Sequence, residues 1–220
     1  MAKSLNLINK VNVSFELKCL DVLIRSYYTS VQIGKVSCDW EEKTFSSHLV
    51  SLMKKCEKAL KYNLTITKEE ELEDDEIDNG LKSPKEANPI DIRFHNKWMN
   101  LRLDYNVEAK NVSSSQWIKS KGSKVNASDQ QTEYITKGIE RFLTGHFKDK
   151  NGCILGYIVN GNLDDLLFKI NSKLELQKNN YEIISFKNIL INKYKIYESH
   201  HPQRILKHLF FDYKNFNIEN

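Results

Sequence analysis

The sequence predicts a mixed α/β (α+β) fold, a central mixed β-sheet flanked by helices, with an N-terminal helical extension over residues 1–45 and the main domain over 46–220. Three observations carry this expectation. Residues 90–110 contain two stretches in which apolar and polar side chains alternate, the period of a strand with one buried face. Residues 153–161, CILGYIVNG, are almost unbroken in apolar character, as in a strand covered on both sides. The first 62 residues and two later segments repeat apolar side chains at three- and four-residue steps, the helical period.

Taken in order, Phe15 to Tyr28 is apolar around much of its circumference after a possible Ser14 cap, which predicts a buried helix. Over 46–62, Leu49, Leu52, Met53, Cys56, Ala59 and Leu60 face one way and lysines the other, an amphipathic helix. Residues 62–67 read as a short strand. An exposed insertion comes next, over 68–88: the acidic run KEEELEDDEID, then an Asn-Gly pair and the first of two prolines.

Ile90, Ile92 and Phe94 then alternate with Asp91, Arg93 and His95, and Leu101 to Ala109 alternates with Arg102 to Lys110, so an antiparallel hairpin is expected. Keeping both apolar faces together leaves two registers. If His95 opposes Asp104, Asp91 opposes Glu108; if His95 opposes Arg102, Asp91 lies one diagonal step away. Either register gathers Asp91, Glu108 and Lys110.

Residues 111–126 read as a Ser/Lys/Gly loop. A helix starting near Ser128 or Asp129 buries Ile135, Ile139, Phe142 and Leu143, and a second, capped by Asn162, buries Leu163, Leu166, Leu167, Ile170 and Leu174. The stretches 182–191 and 195–199 look strand-like, and the closing HHPQRILKHLFFDY is too short to assign.

Composition narrows the function classes. With 220 residues, 40% hydrophobic, ten Tyr and ten Phe, the chain can bury a core. No apolar run reaches the length of a bilayer span and the N-terminus lacks a signal-peptide pattern, so a cytoplasmic protein away from membranes is expected. Cys19, Cys38, Cys56 and Cys153 have neither CxxC nor zinc-finger spacing and read as core thiols. The net charge of +4 is segregated: residues 68–78 carry eight carboxylates against one Lys, leaving +11 on everything else. A basic body attracts polyanions such as nucleic acid.

The order helix, strand, an Asp-bearing strand, a strand ending in Glu108-Ala109-Lys110, helix, buried strand resembles the PD-(D/E)xK nuclease superfamily with its restriction-endonuclease-like fold, over about residues 46–160. The Pro-Asp pair of that family is Pro89-Ile90-Asp91 here, and Asp104 on the same polar face competes with Asp91. The resemblance implies a phosphodiesterase dependent on Mg2+ or Mn2+, with Asp91, or Asp104, and Glu108 as metal ligands and Lys110 beside the attacking water. Such a cation polarises a phosphoryl oxygen and acidifies a water. Gln130 and Tyr134 have the Gln-x-x-x-Tyr spacing of some superfamily nucleases, which implies an auxiliary catalytic role for Gln130. Tyr134 reads equally well as a core aromatic.

Lys119, Lys121 and Lys124, with Trp117 for stacking on a base, are the candidate nucleic-acid contacts, joined by Arg204 and Lys207 if the tail folds over the same groove. The expected function is a DNA endonuclease in restriction, phage defence or repair, RNA remaining a possible substrate, acting as a homodimer or with a partner protein. The alternative is an inactive nuclease fold that binds or scaffolds.

Overall fold

The computed structural model describes residues 2–70, 90–98, 101–144, 152–177, 182–202 and 204–216. The insertion at 68–88 lies outside these except for residues 68–70, which end a strand. Helices α1 (Ala2–Ile33), α2 (Glu42–Lys55) and α3 (Glu57–Lys61) precede strands β1 (Thr65–Glu70), β2 (Ile90–Trp98) and β3 (Leu101–Ser113). A hairpin of two short strands, β4 (Trp117–Ile118) and β5 (Lys124–Val125), leads to α4 (Ala127–Glu133), a π-helical stretch (Tyr134–Ile139) and α5 (Glu140–Leu143). Then come β6 (Gly152–Asn160), α6 (Leu163–Leu176), β7 (Ser185–Ile191), β8 (Tyr194–His201) and β9 (Arg204–Asp212).

Seven strands make one mixed sheet in the order β1-β2-β3-β6-β9-β8-β7. β1, β2 and β3 run antiparallel in sequence, β6 is parallel to β3, β9 parallel to β6, and β8 and β7 return antiparallel. Joining β3 to a parallel neighbour requires a crossover, and the helical segment from α4 to α5 supplies it. The register pairs His95 with Asp104, the first of the two alternatives.

Each face of the sheet has its own core. Ile92, Phe94, Tyr105, Val107 and Ala109 pack beneath α1 and α2 with Phe15, Leu23, Phe45 and Met53. Val112, Ile154, Ile158 and Phe210 pack on the other face against Ile139, Phe142, Leu166 and Ile170. β6 is buried along nearly its whole length because both cores meet it, as its unalternating sequence predicts.

Local differences have physical causes. α1 extends well beyond 15–28 and ends at Ile33, before Gly34, whose φ of +68° suits the left-handed position after a helix. Residues of α1 share a core with Tyr105 and Phe211, and the division at 45/46 falls inside α2. The helix expected over 46–62 is interrupted at Cys56, which is extended with ψ of 122°. Asn126 rather than Ser128 or Asp129 caps α4, its side chain accepting from Ser128 N, while Asn162 caps α6 as its sequence position indicates. The unassigned tail forms β9 inside the sheet. Among the described residues no helix is long and apolar enough to cross a membrane.

Candidate active site

The site lies where β3 changes partners. Residues 101–107 of β3 pair with β2, and residues 106–113 pair with β6. The β2–β3 ladder ends at Ile92↔Val107, and the next backbone amides along that edge meet carboxylates. Ala109 N donates to Asp91 Oδ2 at 2.8 Å, and Asn111 N donates to Glu42 Oε2 at 3.3 Å. Asp91 comes from the start of β2 and Glu42 from the first turn of α2, where the helix dipole favours a negative charge.

These carboxylates and Glu108 converge on one ammonium. Lys110 Nζ is 2.7 Å from Glu108 Oε1, 3.1 Å from Glu42 Oε1 and 3.8 Å from Asp91 Oδ2, and it donates to the Ala109 carbonyl at 2.7 Å. Arg141 Nη1, from α5, reaches the same Glu108 Oε1 at 2.5 Å. Glu108 Oε2 is buried with no hydrogen-bond partner. A carboxylate oxygen in that state costs free energy unless something positive meets it.

Burial dominates the electrostatics. It pushes the Glu108 carboxyl up to about 7, against the pull of Lys110 and Arg141 and with a further push from Asp91. Burial also raises Glu42 and Asp91, in both cases opposed by Lys110. Burial would lower Lys110, but Glu108, Glu42 and Asp91 outweigh it and hold the ammonium above its ordinary range. Lys110 stays charged among these raised carboxyls.

The structure joins some expected residues to this centre and separates others. Asp91, Glu108 and Lys110 come together. Asp104 does not: it is salt-bridged to Arg93 and Arg102, four residues before Glu108 and so about 13 Å away along the strand. Gln130 accepts from Ser113 Oγ at 2.6 Å, three residues and so about 10 Å past Lys110 along β3, while Tyr134 is a core aromatic bonded to His208 Nδ1 at 2.9 Å.

Lys119 pairs with Glu41 at 2.5 Å, next to Glu42, so the β4–β5 hairpin borders the site. With Trp40, Glu41, Thr44 and Ser123, Lys119 and Lys121 line a cleft of about 530 Å3. Lys121 and Lys124 are exposed and Trp117 is half-buried against the core. Arg204 and Lys207 are elsewhere. Lys110 is level with Gly156, and Gly156 with Phe210, which places Lys207 and Arg204 about 10 and 20 Å back along β9 and two strands across. Lys207 is moreover engaged by Glu198.

Glu42 and Arg141 were not indicated by the sequence. An acid in a helix's first turn and an Arg beside a buried Phe each have ordinary explanations, and only the fold brings them to Lys110 and Glu108.

Carboxylate oxygens such as those of Glu108, Asp91 and Glu42 are the donor type that a hard divalent cation takes, and Glu108 Oε2 is without a hydrogen-bond partner. Among the described residues no group of three His, Cys, Asp or Glu is arranged to hold a metal ion, and the Lys110 ammonium lies among these three carboxylates. No family model matches the chain, and it matches no curated protein or solved structure.

Proposed function

We propose that the protein is a divalent-metal-dependent nuclease acting on DNA. The observation that carries this is the convergence of Glu42, Asp91 and Glu108 on Lys110, with Glu108 Oε2 buried and unpartnered. The element order, α2, β1, β2, β3, α4–α5, β6, with β6 parallel to β3, supports the nuclease-like reading. So does the lysine-bearing hairpin beside the site.

Asp91 and Glu108 would hold the cation, with Glu42 adjacent. When bound, Mg2+ or Mn2+ supplies Lewis acidity at a phosphoryl oxygen and a water acidic enough to attack near neutral pH. Lys110, held by Glu42 and the Ala109 carbonyl, keeps its proton and presents positive charge to the attacking oxygen and the developing charge on phosphorus. Gln130, which accepts from Ser113, would contact the substrate backbone. Lys119, Lys121 and Lys124 attract that backbone. A setting in restriction, phage defence or repair rests on the fold resemblance alone.

A calorimetric titration with Mn2+, beside cleavage of supercoiled and linear DNA and of RNA, tests the reading on wild type and Glu108→Gln. Metal binding and cleavage are expected in wild type and absent from the variant, and Lys110→Ala is expected to lose cleavage while keeping DNA affinity. A wild type that takes up no divalent ion even with DNA present defeats it.

One observation favours a second reading. Asp91 and Glu42 already accept from strand-edge amides, and the Lys110 ammonium lies within ion-pair reach of all three carboxylates. On that reading the cluster is structural and the protein binds or scaffolds without cleaving.

A further inference from the structure

The cleft beside the carboxylate cluster is built around one aromatic side chain. Trp40 lines it with Lys121 and the hydroxyls of Thr44 and Ser123. The Trp40 ring is partly buried and meets Phe45 and His48 with centroids 5.5 and 5.4 Å apart, at interplanar angles of 61° and 68°. Among the described residues no ring lies parallel to it. The backbone here is fixed from two sides. Trp40 N donates to the Ser37 carbonyl at 3.1 Å, and the Trp40 carbonyl accepts from Asn111 Nδ2 at 2.9 Å. Across the cleft, Asp39 accepts from Ser120 N at 3.0 Å and from Ser120 Oγ, and Glu41 pairs with Lys119. Those contacts occupy the two carboxylates of the lining and clamp the β4–β5 hairpin to the loop before α2. Lys121 is exposed and forms no ion pair among the described residues.

Size and position both suit a nucleotide. The cleft's volume of about 530 Å3 lies within the roughly 300–1,000 Å3 typical of sites for small organic molecules. Glu42, whose Oε1 is 3.1 Å from Lys110 Nζ, follows Trp40 by two residues, at most about 7 Å of chain. Asn111, which holds the Trp40 carbonyl, is the residue after Lys110. The cleft and the carboxylate cluster therefore adjoin. An aromatic platform binds the flat face of a base. In a duplex that face is covered by the neighbouring base pairs, and the grooves offer only base edges.

We propose that this cleft holds one unpaired nucleotide of a DNA strand, its base stacked on Trp40 and its phosphate beside Lys121. The inference rests on the nuclease reading and narrows the substrate to DNA that is single-stranded at the site. Stacking is tolerant of base identity because every base has a π-face. The hydroxyls of Thr44 and Ser123 both donate and accept, so the lining imposes no choice among base edges. Lys121 supplies the attraction to the backbone that stacking by itself lacks.

Binding of fluorescein-labelled oligothymidylate, and of a duplex of the same length, is read by anisotropy in EDTA, which keeps cleavage out of the measurement, for wild type, Trp40→Leu, Trp40→Phe and Lys121→Gln. Trp40→Leu keeps apolar bulk against Phe45 but has no π-face, Trp40→Phe keeps a smaller face, and thermal unfolding checks that each variant is folded. Wild type is expected to bind the single strand about tenfold more tightly than the duplex. Trp40→Leu should lose about that factor on the single strand and less than about twofold on the duplex, with Trp40→Phe between. Lys121→Gln should weaken both and reduce their salt dependence. Unlabelled oligothymidylate should quench the tryptophan fluorescence of wild type more than that of Trp40→Phe, a comparison that decides the matter if Trp40→Leu does not fold. Equal single-strand affinity in wild type and both Trp40 variants, equal quenching in wild type and Trp40→Phe, or a preference of wild type for the duplex overturns the proposal. So does full competition by thymidine monophosphate at the same nucleotide concentration, which would make the cleft a site for a free nucleotide. A wild type that takes up no Mn2+ even with DNA present defeats the nuclease reading; Mn2+ uptake with single-strand affinity unchanged in the Trp40 variants defeats only the inference.

Discussion

The burial of single charged or titratable residues decides most of what is unusual in this protein. Glu108 and His208 are both inaccessible, yet they resolve the cost of burial differently. Glu108 keeps two cations beside it. His208 gives up its charge: burial, with His201 adding to it, lowers it to about 3, and its ring nitrogens bond Tyr134 Oη at 2.9 Å and Ser199 Oγ at 2.8 Å. A base whose folded-state value is depressed contributes stability that is present above its unfolded value, near 6.5, and lost as pH falls toward 3. The loss attributable to His208 over that window is up to about 5 kcal/mol. Urea unfolding measured between pH 4 and 6 should therefore show stability rising with pH more steeply in wild type than in His208→Gln, by about 1.4 kcal/mol per pH unit. Equal slopes would mean that His208 is charged in the fold.

At the scale of elements, the position of the site is set by how β3 is shared. Its first half belongs to an antiparallel meander and its second half to a parallel pair, and the change of partner leaves the edge that Asp91 and Glu42 occupy. Gly156 makes the second pairing close. It is level with both Lys110 and Phe210, and a Cβ there would lie 2.8 Å from Phe210 Cδ1 and 3.1 Å from Val112 Cγ2. Phe210 has little room to yield, since it stacks on Tyr134 and meets Tyr197 edge-on. Gly156→Ala is expected to cost about 1–3 kcal/mol by overpacking, read as a lower urea midpoint with an unchanged m-value. The hairpin itself was legible because alternation specifies both strands and restricts the register. The partner change was not, since it depends on where β6 docks, a contact far away in sequence.

For the whole molecule, the N-terminal helix is part of the fold. Phe15, Leu20, Leu23, Ile24 and Tyr27 of α1 lie in the core beneath the sheet, and Tyr27 stacks on Phe211 with ring centroids 4.3 Å apart. A chain of residues 46–220 would expose that face and would also cut α2 in its first turns, removing Glu42 from the site. Such a fragment is expected to lose cooperative thermal unfolding and near-ultraviolet circular dichroism, whereas the full chain retains both. A fragment that unfolds cooperatively would show the extension to be separable. The strongly acidic run begins in the last residues of β1, and the next described strand, β2, carries Asp91 as its second residue.

Local pattern by itself determined the hairpin with its acid, acid and lysine, the doubly buried strand, the Asn162-capped helix and the thiol character of the cysteines, because each depends on periodicity or on residues close in sequence. Tertiary structure alone put Asp91 beside Lys110 and tied Asp104 to Arg93 and Arg102, set Arg204 and Lys207 apart from that cluster, and brought Glu42 and Arg141 to it. Those outcomes depend on which elements meet in space. A polar face looks the same in sequence whether solvent, a salt bridge or a buried ammonium will meet it, and packing is what distinguishes them.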